Sequence, residues 1–134
     1  MSAVGERLLQ REIVLRLQAG PWPVVAAAIP NGVWLPSHSE DERRLVGRLM
    51  RRMKDDGMLT AGAPDLVVLG EAGGLYLELK RAAERDLFGK RTMRGQLSEA
   101  QREFRRRCEG AGVPYAVATS WQEARDALLA HGLI

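Results

Sequence analysis

The chain of 134 residues predicts a single α/β domain, in which helices pack on a small mixed sheet. Two short apolar runs between residues 62 and 80 are typical of a β-hairpin, and two further runs, at 21–29 and 113–119, predict strands. In the segments between these runs the apolar residues recur at helical spacing, which predicts helices. Three of the predicted helices begin with a capping box, at Ser39, Ser98 and Ser120. The predicted order is helix, strand, helix, hairpin, helix, strand, helix, with residues 1–134 forming one unit.

Composition narrows the class of protein. Hydrophobic residues make up 46% of the chain and charged residues 28%, as in soluble globular proteins. No apolar run is long enough to cross a bilayer, and the first ten residues lack the pattern of a signal peptide. We therefore expect a cytoplasmic protein without a membrane partner. The single cysteine, Cys108, excludes an intramolecular disulfide, and the distant His38 and His131 argue against a zinc site.

The first predicted helix, residues 5–19, carries an acid on its apolar side. Leu9, Ile13 and Leu17 recur at helical spacing, and Glu6 lies on the same stripe one turn earlier. A buried lone carboxylate is costly. Glu6 is therefore either a first-turn acid that frays into water or a third acidic group of a metal site.

The second predicted helix runs from Ser39 to about Lys54 and has two different sides. Its inward stripe is predicted from apolar residues at helical spacing: Leu45, Leu49 and Met53, with Val46 and Met50 beside them. The other side is predicted to be basic and to contact DNA through Arg44, Arg48, Arg51 and Arg52.

The predicted hairpin brings three charged side chains together. Its strands are predicted at 65–69 and 75–80, with a loop at 70–74. Because strand side chains alternate between faces, Glu78 and Lys80 share one face while Leu75, Leu77 and Leu79 take the other. Asp65 begins the paired strand and is expected near them. Two carboxylates and an ammonium indicate a divalent-cation site, whereas the alternative is a solvated hairpin with a chance salt bridge.

The segment after Lys80 is irregular and basic. We predict that residues 81–96 form a loop or short helical excursion that contacts phosphates through Lys90, Arg91 and Arg94. The helix that begins at Ser98 carries Gln101 within its otherwise apolar stripe. Gln101 is either a helix cap or a side chain directed at the predicted site.

Basic residues cluster on both sides of the hairpin. Of the 20 Lys and Arg residues, six fall within 43–54 and ten within 80–107. A clustered positive surface beside paired carboxylates favours a polyanionic partner, here nucleic acid, over solvated helix faces.

Pro64-Asp65, a spacer and Glu78-x-Lys80 together resemble the motif of the PD-(D/E)xK nuclease superfamily. From Pro30 onward the chain is similar to stand-alone VRR-NUC domains, a branch of that superfamily common in phages and bacteria. The segments that carry the resemblance are Pro30-Asn31-Gly32, Asp56-Gly57, 62–65, 73–80, Leu97-Ser98-x-x-Gln101, 112–117 and 120–124.

The resemblance implies a restriction-endonuclease-like core with a metal site. It assigns Asp65, Glu78 and the carbonyl of Leu79 as ligands of Mg²⁺ or Mn²⁺, and Lys80 as the residue that positions the attacking water. It also implies that Gln101 belongs to the site. The family has an acid on its first helix, and either Glu6 or Gln10 aligns with that position.

The resemblance also implies an endonuclease that hydrolyses DNA in a bacterial or phage-infected cell. Stand-alone relatives resemble Holliday junction resolvases and act as homodimers, and two-fold symmetry would match a two-fold branched DNA. Two alternatives remain open from the residues. One is a non-catalytic DNA-binding module with the same fold, and the other is a nuclease acting on flaps, duplex ends or RNA.

Overall fold

A computed structural model describes residues 3–30, 39–57, 59–80 and 96–134 of the chain. It contains the eight predicted elements in the predicted order. They are α1 (Ala3–Ala19), β1 (Val25–Ala28), α2 (Glu40–Asp55), β2 (Leu66–Gly70), β3 (Gly73–Leu79), α3 (Glu99–Ala111), β4 (Tyr115–Ala118) and α4 (Trp121–Ala130).

The strands form one mixed sheet with the order β1-β2-β3-β4, which confirms the predicted mixed α/β class. The first three strands pair antiparallel, and β4 joins β3 in parallel after the crossover through α3. The hairpin loop is shorter than the predicted 70–74, because Gly70 pairs with Gly73 and only Glu71 and Ala72 lie between them. Gly73 has a φ of 132°, a conformation open to glycine but not to ordinary residues.

The hydrophobic core lies on one face of the sheet, beneath α1 and α4. The predicted stripe of α1 is confirmed at Ile13 and Leu17, and the predicted face of β3 is confirmed at Leu75, Leu77 and Leu79, all buried. Burial of each such side chain stabilises the folded state by about 1.5–3 kcal/mol. The core therefore fixes the position of β3. The side chains on the opposite face of that strand are then held by a rigid backbone.

Helix α3 packs against the other face of the sheet through an aromatic cluster. Phe104 meets Tyr76 edge-on, with ring centroids 5.4 Å apart, and lies 6.4 Å from the ring of Tyr115. This packing brings the first turn of α3 alongside the end of β3, where Glu78 lies.

The predicted inward stripe of α2 is wrong at Leu45 and Leu49, whereas Val46, Met50 and Met53 are half-buried. Leu45 and Leu49 are 62% and 42% exposed, and no residue of α2, which the structure describes in full, is buried. Helix α2 therefore faces the rest of the molecule with one edge of the predicted stripe, and the two leucines lie on the other edge. No helix in the described ranges is both long and apolar enough to cross a membrane.

Gly62 fixes the loop before β2 against α3. A Cβ at this position would overlap the carbonyl group of Ala100, and the backbone φ of Gly62 is 76°. Gly57 has nearly the same φ, 75°, but a Cβ there would meet nothing within 4 Å. Substitutions at these two glycines therefore distinguish how much stability is lost through backbone strain and how much through close packing.

We predict that Gly62→Ala lowers the free energy of unfolding by more than about 3 kcal/mol, because it adds a backbone clash to the strain of a positive φ. Gly57→Ala should lower it by only about 1–2 kcal/mol, from the strain alone. Denaturant unfolding of the two variants checks this difference. Equal losses would show that the loop and α3 do not touch at Gly62.

Candidate active site

Glu78 is a carboxylate on the face of the sheet opposite the apolar core, and it is only 2% exposed. Gln101 Nε2 donates a hydrogen bond of 2.7 Å to Oε1 of Glu78, and Lys80 Nζ lies 3.6 Å from the same oxygen. The other oxygen, Oε2, is buried and has no hydrogen-bond partner within the described part of the chain. The carboxylate is thus held by one oxygen, while the second is left for a ligand.

The environment of Glu78 disfavours its charged form. Burial is the largest cause, and the negative charge of Asp65 is the second; together they raise the pKa of Glu78 from 4.5 to about 8. Lys80 acts in the opposite direction, and Glu6 adds a smaller increase. The single ammonium of Lys80 thus does not offset burial and the charge of Asp65, and a bound cation would favour the charged form of Glu78 further.

Asp65 connects the neighbouring strands at the edge of the site. Its Oδ2 accepts a hydrogen bond of 2.8 Å from the backbone N–H of Leu79, and its carbonyl accepts one of 2.8 Å from the N–H of Ile29. These bonds fix the position of Asp65 at the entry to β2. The predicted proximity of Asp65, Glu78 and Lys80 is therefore present in the structure.

Gln101 combines both interpretations of its side chain. Its Oε1 accepts a hydrogen bond of 2.8 Å from the N–H of Ser98, which completes the capping box, while its Nε2 donates to Glu78. An amide has an acceptor at one end and donors at the other, so a single side chain serves both purposes.

A cavity of about 610 Å³ opens above these side chains. Its floor carries Asp65, Glu78 and Lys80, and one wall is the start of α3 with Ser98 and Gln101. The loop at 59–63 forms a further part of the wall. Helix α2 forms the remaining side through Gly47, Met50, Arg51 and Lys54.

Glu6 lines the cavity, whereas Gln10 lines a separate depression together with Arg7 and Arg11. Glu6 is thus the side chain that α1 directs toward the acidic pair, and it acts electrostatically on Glu78. It does not complete a cluster, since no three His, Cys, Asp or Glu side chains form a metal-binding group in the described ranges.

The residues at the cavity floor fit a hard divalent cation. Mg²⁺ and Mn²⁺ prefer oxygen ligands and are commonly held by one or two carboxylates together with waters. Asp65 and Glu78 provide two such groups, and Oε2 of Glu78 is the oxygen without a hydrogen-bond partner among the described residues. Leu79, the third ligand that the resemblance implies, follows Glu78 directly in β3.

The predicted DNA-contacting arginines occupy different places. Arg51 lines the cavity, Arg44 pairs with Glu40 at 2.9 Å, and Arg48 and Arg52 are exposed elsewhere on α2. The other predicted contacts, Lys90, Arg91 and Arg94, lie outside the described residues.

Two side chains near the site were not among the predicted site residues. Lys54 lines the cavity, and its position three residues after Arg51 was the available signal, because i and i+3 share a helix side. The buried hydroxyl of Tyr115 has no partner among the described residues, and burial, then Glu78, raise its pKa. Nothing in a single sequence indicates that this tyrosine lies within electrostatic reach of the acidic pair.

Comparison of the chain with protein-family models, with curated proteins and with solved structures gives no match. The candidate site is therefore defined by its own geometry.

We predict that the metal-free protein loses stability between pH 5 and pH 8 through Glu78. A carboxyl whose pKa is raised in the folded state holds its proton more tightly there, so its contribution is complete below about pH 4.5 and is lost as the pH rises toward 8. A difference of this size is worth on the order of 3–5 kcal/mol.

The measurement is the free energy of unfolding in EDTA across this pH range for wild type and Glu78→Gln. Glutamine keeps the shape of the side chain and removes the titration. The wild type should lose several kcal/mol more than the variant. Superimposable pH profiles would contradict the assignment.

Proposed function

We propose that this protein is a Mg²⁺- or Mn²⁺-dependent endonuclease with a VRR-NUC-type PD-(D/E)xK core, and that it hydrolyses phosphodiester bonds in DNA. The observation that carries the proposal is the buried carboxylate of Glu78, with one oxygen lacking a hydrogen-bond partner among the described residues, beside Asp65 and Lys80. Cationic side chains of α2 on the wall of the same cavity support a phosphate-bearing substrate.

In this proposal Asp65 and Glu78 hold the cation, together with the carbonyl of Leu79. When bound, the cation lowers the pKa of a ligand water and screens the charge that develops on the phosphate. Gln101 Nε2 fixes Oε1 of Glu78, which leaves Oε2 as the oxygen for the metal. Glu6 adds a further negative group to the cavity wall and contributes to the site as its third acid.

Lys80 supplies positive charge at the reacting phosphate. Its side chain is 15% exposed, so the ammonium lies at the cavity floor in a largely water-excluded place. A compact ammonium there donates hydrogen bonds to the attacking water or to a phosphate oxygen, and such interactions are stronger where water is scarce. No covalent nucleophile is required in this proposal, because a water activated by the cation would attack the phosphate directly.

Recognition is proposed to occur through the phosphate backbone. Arg51 and Lys54 reach the cavity from α2, and Arg44, Arg48 and Arg52 extend the positive surface along the same helix. Branched DNA and a homodimeric enzyme are proposed from the family resemblance, since two sites related by a two-fold axis suit a two-fold branched substrate.

We expect cleavage that requires Mg²⁺ or Mn²⁺, is abolished by EDTA and falls by about 10²–10³-fold or more in Glu78→Gln. The assay uses labelled four-way junction, flap, duplex and single-stranded DNA, with an RNA of the same sequence. Glu71→Gln is the matched control, because Glu71 is an exposed carboxylate on the turn of the same hairpin. This control should cleave at the wild-type rate.

The substrates separate the alternatives. Symmetric nicking of the junction supports the branched-DNA proposal, while metal-dependent cleavage of another substrate retains the site and replaces the substrate. Tight DNA binding without cleavage in either metal would contradict the nuclease proposal and favour a non-catalytic binding module.

We further predict that the double variant Arg51→Gln/Lys54→Gln weakens DNA binding and lowers the slope of log K against log salt by about 1–2. Each phosphate contact contributes roughly one released counterion to this slope. Arg125→Gln, on the exposed side of α4, is the control and should leave the slope unchanged. Equal slopes for the wild type, the double variant and Arg125→Gln would show that Arg51 and Lys54 do not contact DNA.

A further inference from the structure

Helix α2 presents two opposite sides to its surroundings. Gly47, Met50, Arg51 and Lys54 line the cavity, and at 100° per residue these positions share one side of the helix. Leu45 and Leu49 lie on the opposite side, one turn apart, and are 62% and 42% exposed. Leu45 and Leu49 therefore face away from the cavity, while Met50 lies on its wall.

The exposed side of α2 lacks the packing that normally stabilises a helix. Isolated helices of about 12–15 residues are marginal in water, and most helices in proteins are stabilised by burial of an apolar side. Helix α2 has 16 residues, and none of them is buried. Two leucines on adjacent turns, not covered by any other described element, form the surface that a partner helix would occupy.

The distribution of charges along α2 indicates which kind of helix could pack against it. Acids occupy its first turn, namely Glu40, Asp41 and Glu42, and bases occupy its last turn, namely Arg52 and Lys54. A second copy of α2 in antiparallel orientation would place each acidic turn beside a basic one. The leucines are also self-complementary, because the midpoint between Leu45 and Leu49 falls near the middle of the helix.

We propose that α2 is the contact surface between two copies of this chain. Around a two-fold axis near residue 47, Leu45 of each copy packs against Leu49 of the other, and Asp41 lies opposite Arg52. Antiparallel helices pack with their axes about 8–10 Å apart. Each cavity then lies on the outer side of the helix pair, so the interface leaves both active sites open.

This inference rests on the homodimer of the proposed function and names its surface. The two fail independently, because a chain that remains monomeric and still cleaves DNA would overturn the interface and leave the nuclease standing. Other exposed leucines fit a partner less well. Leu8 and Leu15 of α1 are two turns apart, and Arg16 at the end of that helix already pairs with Glu12 at 3.1 Å.

The first experiment measures the mass of the full chain in solution by sedimentation at concentrations of about 1 to 200 µM. One helix pair is smaller than a standard interface, so we expect a reversible dimer with a dissociation constant on the order of micromolar. Leu45→Glu should raise this constant at least about tenfold. Leu8→Glu is the matched control, since Leu8 is 61% exposed, and it should dimerise as the wild type does.

The second experiment exchanges charges. Asp41→Arg and Arg52→Asp should each weaken the dimer, because each brings like charges together, and the double variant should restore it. Circular dichroism and thermal unfolding verify that every variant is folded. A monomeric wild type at the highest concentration overturns the proposal. So does a dimer that survives Leu45→Glu, a double variant that is not restored, or a dimer lost instead with Leu69→Glu on the sheet face.

Discussion

Gln101 Nε2 donates a hydrogen bond across the boundary between α3 and β3 to one oxygen of Glu78, and the other oxygen is buried without a partner among the described residues. Leaving a buried polar group unsatisfied costs about 1–3 kcal/mol, and more for a charge. A leucine at position 78 would avoid this cost. A carboxylate at such a position costs stability, and the proposed metal site accounts for it through binding.

The same hydrogen bond makes the site part of the fold. Gln101 also closes the capping box of α3, so the position of its amide depends on where that helix begins. The first turn of α3 also packs closely against the preceding loop, where Gly62 meets the carbonyl of Ala100. Asp65 lies three residues after Gly62, and its position is fixed by the hydrogen bond that it accepts from the N–H of Leu79. Small displacements of the loop therefore move the acidic pair and its hydrogen-bond donor together, which is how preorganised sites are held.

Local chemistry in the sequence predicted much of this arrangement. The serine caps place the starts of α2, α3 and α4 correctly because a cap depends only on neighbouring residues. Strand alternation likewise brings Glu78 and Lys80 together. The errors concern relations between distant segments. Periodicity shows which side of α2 is apolar but not whether another element covers it, so Leu45 and Leu49 were placed inward. The double role of Gln101 depends on a distance that no local pattern contains.

Helix α2 takes part in both proposals, the nuclease site and the contact between two chains. Its basic side forms one wall of the cavity, yet the helix has no buried residue and is the least anchored of the described helices. A weakly packed wall opens at low free-energy cost, and in the proposed function the 2% exposed carboxylate of Glu78 would need such an opening to admit a phosphate. Covering Leu45 and Leu49 with a second copy would stabilise the wall from behind. Association of two chains and the geometry of each cavity would then be coupled through one helix, without any residue of the partner entering the site.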